Sequence, residues 1–282
     1  ETYRLLSEVL IGPTTEFWYP AVSRAKYYGV AERHTRWRRE LPVDDLGRPD
    51  LSDFMLSRAP KVLMIEPDQA SPMGATLSEA ERVTLVEEAR RAGAFVIEDL
   101  YCRLLLTEEP PRPLMSLDPA KDSVILIGGL PMWLNSLGSL SFVIANERII
   151  NLLRASGRRD YLLPDVCAQL VAMKLNDLGL IPEMLARFRA FHRAHIEGVD
   201  RILREAFGDR FSWRVPAGFG NVWLDLRGVD VERLWRHRRG VDFQPGWFYG
   251  EKEPRHLVLR YTVPLPMFEE GVRRLRANIE AL

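Results

Sequence analysis

The stretch Lys61–Tyr101, KVLMIEPDQASPMGATLSEAERVTLVEEARRAGAFVIEDLY, decides the fold. KVLMI is a continuous apolar run of strand length, the pattern of a strand buried on both faces. A loop, DQASPMGATL, follows. Ser78 and Glu81 then form a capping-box pair. Val83, Leu85 and Val86 supply an apolar helical face, and Gly93 stands where a helix stops in the left-handed conformation. AFVIEDLY is a second buried strand. Strand, helix and strand over this distance make a βαβ unit, so the two strands are predicted to run parallel.

Working outward, residues 123–130 (SVILIGGL) read as another strand, 128–139 (GGLPMWLNSLGS) as its exit, and 141–145 (SFVIA) as the next strand. So short a connection cannot make a parallel crossover, so the last strand is predicted antiparallel in a mixed, mostly parallel sheet. Upstream, Val9–Ile11 reads as a short strand, Gly12-Pro13 as a turn, and the following residues as an amphipathic helix ending near Gly29. RHTRWRRELP (33–42) reads as a solvated edge strand with Trp37 packed, not as a nucleic-acid patch, and a short helix begins near Asp50.

From Glu147 the pattern changes. Residues 147–158 and 164–207 read as helices, 211–226 as paired strands with a glycine-rich bend, and 229–240 as a helix. VDFQPGWFYG (241–250) and HLVLRYTV (256–263) read as strands, and 268–282 as a closing amphipathic helix. The expected division is a large α/β domain over 1–150, then linking helices and a smaller α+β C-terminal domain over 151–282. His192 and His195 lie one helical turn apart but lack a third ligand, so they read as a solvated face. His34, His237 and His256 read as surface residues.

The 282 residues carry 39 basic and 39 acidic side chains, so no global field favours nucleic acid or an acidic membrane. No apolar run approaches the ~18 residues that span a bilayer, and no secretory signal is visible. Cys102 and Cys167 form neither a metal-like spacing nor a disulfide framework, which suits a cytoplasmic protein.

The order of these motifs resembles the fold-type I pyridoxal-phosphate (PLP) enzymes. The nearest likeness is to class I/II aminotransferases, including the aminotransferase-like domains of MocR-type GntR regulators, from about Val9 to the end. EPDQASPMG followed by LSEAER resembles the family's NPTG loop and next helix. FVIEDLY resembles the strand with its Asp-x-Tyr pair, and GGLPMWLNSLGS the segment that bears the coenzyme lysine. PAGFGNVWLDL and HLVLRYTV resemble the strands of the C-terminal domain. Such enzymes use PLP as an electron sink once its aldehyde forms an imine.

The resemblance implies that Asp99 faces the pyridine nitrogen, that Tyr101 meets the ring hydroxyl, and that Arg260 binds the substrate carboxylate. Asp99 and Tyr101 are the candidate catalytic residues. Ser71 stands at the NPTG asparagine, Met132 at the imine lysine, Ser139 at the phosphate arginine, and Pro131 at the serine before the lysine. Methionine matches lysine in length and flexibility but forms no imine. None of Lys26, Lys61, Lys121, Lys174 and Lys252 is placed to replace it. The family's glycine-rich phosphate turn precedes the resemblance and is either absent or outside this sequence.

Three readings follow. The first is an aminotransferase-fold pseudoenzyme or partner subunit, without a cofactor, that binds a small amino-acid-like ligand. It would form a homodimer, or a heterodimer with an aminotransferase homologue. The second is a diverged biosynthetic enzyme using the same pocket with noncovalent PLP or its amine form (PMP), or without PLP. The third is the effector domain of a GntR/MocR-type regulator, this chain itself touching neither nucleic acid nor membrane.

Overall fold

The computed structural model describes residues 2–24, 29, 33–101, 103–130, 140–159, 165–215, 220–252 and 255–282. The βαβ unit is as read. Strand β3 (Lys61–Ile65) is wholly buried, helix α3 (Glu79–Ala92) follows, and β4 (Phe95–Asp99) pairs parallel with β3. Ser78 and Glu81 bond reciprocally as a capping box, and Gly93 closes the helix at φ 62°.

Around this unit lie β1 (Glu16–Pro20), β2 (Arg38–Leu41), β5 (Val124–Leu130) and β6 (Leu140–Ile144). The sheet order is β2-β1-β3-β4-β5-β6, parallel throughout except for the antiparallel β5–β6 pair. This is the mixed α/β sheet of the sequence reading. Alternation along each strand divides the core. Leu63, Ile65 and Val96 face α3 with Leu85, Val86 and Ala89, whereas Val62, Met64 and Ile97 face the other side with Leu6 and Ile149.

The N-terminus differs from its reading. Residues 2–10 form helix α1 (Thr2–Leu10), so Val9–Ile11 is not a strand, and the first strand is β1, inside the region expected to be helical. Tyr3, Leu6 and Leu10 recur at helical spacing and enter the core beneath β1, which outweighs the short apolar run. Trp37 is also not packed. It is half exposed, with the Arg39 guanidinium over its ring at 5.8 Å.

Short helices α2 (Ser52–Leu56) and α4 (Leu114–Leu117) cover one face of this sheet, and α5 (Glu147–Arg159) packs on α1 across the other. Helices α6 (Val166–Asp177) and α7 (Leu180–Phe207) lead to a second sheet. It is built from β7 (Ser212–Arg214), β8 (Asn221–Asp225), β9 (Gln244–Pro245) and β10 (His256–Arg260), in the order β7-β8-β10-β9, all pairs antiparallel. Helices α7, α8 (Val231–His237) and α9 (Leu265–Glu280) pack on it around Leu203, Val222, Leu224, Leu257 and Leu275. The expected strand over 241–250 is only β9, followed by a 3₁₀ turn, Gly246–Tyr249.

His192 and His195 are buried rather than solvated. They share the α7 stripe that carries Leu185, Val199 and Ile202. Tyr261 Oη and His192 Nδ1 lie 3.4 Å apart, and His195 Nε2 lies 2.8 Å from the Val263 carbonyl oxygen. Burial, with His195 nearby, lowers the His192 pKa to about 4. Among the described residues no group of three histidine, cysteine or acidic side chains is placed to hold a metal. No helix among them is long and apolar enough to cross a membrane.

Candidate functional site

Open α/β sheets bind ligands beyond the carboxyl ends of their parallel strands. Here the ends of β1, β3 and β4 bring together Arg24, Glu66 and Asp99. Asp99 is the last residue of β4 and is 3% exposed. Its Oδ1 accepts the Tyr101 backbone N–H at 2.9 Å, and its Oδ2 accepts the hydroxyl of Tyr3, from α1, at 2.5 Å. Burial, reinforced by the Asp99 charge and hydrogen bond, holds that hydroxyl protonated far above the ordinary phenol range.

Beside this pair, Glu66 is buried one residue past β3. Its Oε1 pairs with Arg24 Nε at 2.9 Å, and its Oε2 accepts the Ser71 backbone N–H at 2.7 Å. Ser71 itself is buried and precedes a cis proline. The Tyr249 carbonyl accepts the Ser23 N–H at 2.8 Å, joining the second sheet's 3₁₀ turn to the loop after β1. Burial raises the Tyr249 pKa, while Arg24 and Arg260 oppose the shift. Arg260, exposed at the end of β10 opposite Asn221, therefore acts electrostatically on the same cluster. Tyr101 is half-buried and packs with Leu130 against Leu185 of α7.

Asp99, Ser71, Tyr101 and Arg260 thus border one region of the molecule. Met132, Ser139 and Pro131 lie outside the described residues, as does Lys26. The sequence reading missed Tyr3, Arg24, Glu66 and Tyr249. Glu66 carried a usable signal, an acid directly after a buried strand, whereas Tyr3 reaches Asp99 across 96 positions of sequence, beyond any local pattern.

The described residues offer PLP a partial fit. A buried carboxylate is present, but its two oxygens already hold groups of this chain, and the described lysines are engaged or placed elsewhere. Lys61 Nζ bonds the carbonyls of Phe54 and Ser57, at the amino end of β3, and Lys252 pairs with Glu40. Lys174 lies on α6, and Lys121 lies in the loop before β5.

No family model matches the chain. It is 23% identical over 242 residues to the HTH-type transcriptional regulator YisV of Bacillus subtilis, spanning 83% of this chain and 50% of that protein. It is 24% identical over 247 residues to an uncharacterised aminotransferase of Saccharolobus solfataricus, spanning 84% of this chain and 61% of that protein. The chain thus spans between half and about three-fifths of these two relatives' lengths. Among solved structures, a multiple substrate aminotransferase from Thermococcus profundus superposes with a TM-score of 0.88 at 21% identity, covering 99% of this chain and 73% of that one. The α-aminoadipate aminotransferase LysN of Thermus thermophilus, complexed with N-(5'-phosphopyridoxyl)-L-leucine, gives 0.86 at 23% identity, covering 99% and 75%. The likeness starts at the first helix, earlier than the Val9 boundary read from sequence. The chain has the fold of the fold-type I PLP-dependent aminotransferases.

Proposed function

We propose that this chain binds a small amino-acid-like molecule in the cleft of an aminotransferase fold and does not transaminate through an imine of its own. It then serves as a pseudoenzyme or as the partner of a lysine-bearing homologue. The observation that carries this reading is the Asp99–Tyr3 bond. A carboxylate suited to a pyridinium nitrogen is instead capped by a hydroxyl from the chain's own first helix. Met132 at the position of the imine lysine supports the same reading from sequence. Arg260 would bind the ligand carboxylate. The Arg24–Glu66 pair keeps the strand ends polar and fixed.

The test is reductive trapping. Purified protein is mixed with equimolar PLP, treated with borohydride and mapped by mass spectrometry. The expected result is no pyridoxyl-lysine on this chain, with any coenzyme released on denaturation. A stoichiometric adduct on one of its lysines overturns the reading.

The match to YisV favours a second reading, the effector half of a regulator, because this chain aligns with about half of that protein. A reading frame that continues upstream into a helix-turn-helix segment, with DNA binding by the full product, would select it.

A further inference from the structure

A second cleft, about 380 Å³, opens between the second sheet and the loop at Val43–Asp45. Its floor is Trp223 and Asp225 of β8 and His256 of β10. In the register Trp223 pairs with Val258 and Asp225 with His256, so all three side chains share one face of the sheet. The Trp223 and His256 rings stack at 4.6 Å with 12° between planes. His256 Nδ1 is 2.5 Å from Glu251 Oε1, and its Nε2 is 3.8 Å from Asp225 Oδ2. Glu251 is seated tightly, for a Cβ on Gly246 would fall 1.7 Å from its Oε2.

Two shielded polar atoms of these lining residues have no partner among the described residues, Trp223 Nε1 and Asp225 Oδ1. Trp223 is 4% exposed and the Asp225 side chain 7%. A buried donor and a buried acceptor left unmatched are each costly. The charge of Asp225 is already answered on Oδ2, by Arg227 Nε at 3.0 Å and Arg255 Nη2 at 3.4 Å. What the floor still calls for is a neutral group that accepts from the indole and donates to the carboxylate, as a primary carboxamide does. Arg227 and Arg255 are largely exposed, so they form a movable cover. The rim mixes these arginines with Asp44 and Asp45, which suits a zwitterionic head.

We propose that this cleft is a binding site for a carboxamide amino acid. The side-chain amide would lie on Trp223 and Asp225, with the α-ammonium and α-carboxylate on the rim. The proposed Arg260 anchor lies four residues along β10 from His256, about 13 Å at strand spacing, and Tyr249 of its cluster meets the Trp223 ring edge-on at 6.2 Å, so the two sites are neighbours.

The experiment is calorimetric titration of the whole chain with L-glutamine, L-asparagine and L-glutamate. At least one of the two amides should bind, and L-glutamate should bind at least about tenfold more weakly than L-glutamine, because its carboxylate cannot donate to Asp225. Trp223→Phe removes the N–H and keeps one six-membered aromatic ring, so it should weaken amide binding about tenfold while the chain remains folded. Asp225→Asn should weaken it as well, and the amide binding that Trp223→Phe removes should persist in Arg260→Ala. Equal affinity for glutamate and glutamine, no amide binding at millimolar concentration, or unchanged binding by Trp223→Phe overturns the proposal. Loss on Arg260→Ala alone would move the ligand to the Asp99 region, which overturns this site and leaves the proposed function standing.

Discussion

Glu98 and Asp99 are neighbours in β4, yet the pleat sends them to opposite faces of the sheet, into two differently built environments. On one face Glu98, wholly buried, accepts the Leu114 and Met115 N–H groups at 2.6 and 2.9 Å and so caps α4. Near it, Arg82 is also wholly buried. It bonds the Leu77, Pro67 and Arg112 carbonyls and Asp68, whose other oxygen takes Arg103. This network is closed by backbone groups and serves stability. On the other face Asp99 and Glu66 meet side chains drawn from distant segments, Tyr3 and Arg24, at the strand ends where a cleft forms. Both faces use backbone groups and ion pairs, but only the Asp99 face sets its carboxylates against side chains of the N-terminal segments, Tyr3 and Arg24, which sequence change can re-equip.

The sharpest way to break that contrast is Arg82→Ala. It removes a buried cation with at least four polar partners and leaves Asp68, among the described residues, with Arg103. The expected loss is about 3–5 kcal/mol, read by chemical denaturation. On the opposite face Tyr3→Phe should cost less, roughly 1–3 kcal/mol for one bond to a carboxylate, because Asp99 keeps the Tyr101 amide. If Tyr3→Phe costs as much as Arg82→Ala, the two faces are not built differently.

Two buried groups set opposing pH slopes. His192 has its pKa lowered to about 4 from 6.5 by burial, so the unfolded chain binds more protons between those values. Its contribution to stability is full above pH 6.5 and is lost as pH falls towards 4. Glu98 is raised by burial to about 7 from 4.5, against the pull of its two N–H partners. The folded chain then binds more protons, and stability falls as pH rises from 4.5 to 7. Glu98→Gln should therefore leave stability rising with pH across pH 4.5–6.5, and His192→Asn should leave it falling. Denaturation midpoints over that range check both slopes.

The βαβ unit was legible because strand runs, capping box and C-cap glycine agreed at each level. The N-terminal helix was not, since Val9-Leu10-Ile11 is too short a run to separate strand from helix. The burial of His192 was legible in principle, for it falls on the stripe shared by Leu185, Val199 and Ile202, but its polarity argued for the surface. Asp99 could be placed from its strand end. Its partner Tyr3 could not, because the contact depends on how α1 docks under β4. The cleft over Trp223 and Asp225 was equally hidden, for it needs the register of β8 against β10 and a loop some 180 residues earlier.

The smallest effect belongs to a bridge between the two sheets. Lys252, after the 3₁₀ turn, pairs with Glu40 of β2 at 2.5 Å, with side chains 77% and 39% exposed. Water and salt screen such a pair, and two flexible side chains must be held to form it, so Lys252→Ala should change stability by less than about 1 kcal/mol. The residual difference should vanish in high salt. The buried join between the same regions, the Ser23 N–H on the Tyr249 carbonyl, stays in place in this variant. A loss of several kcal/mol on Lys252→Ala would mean that the sheets are held together from the rim, and that the polar floor between them contributes little.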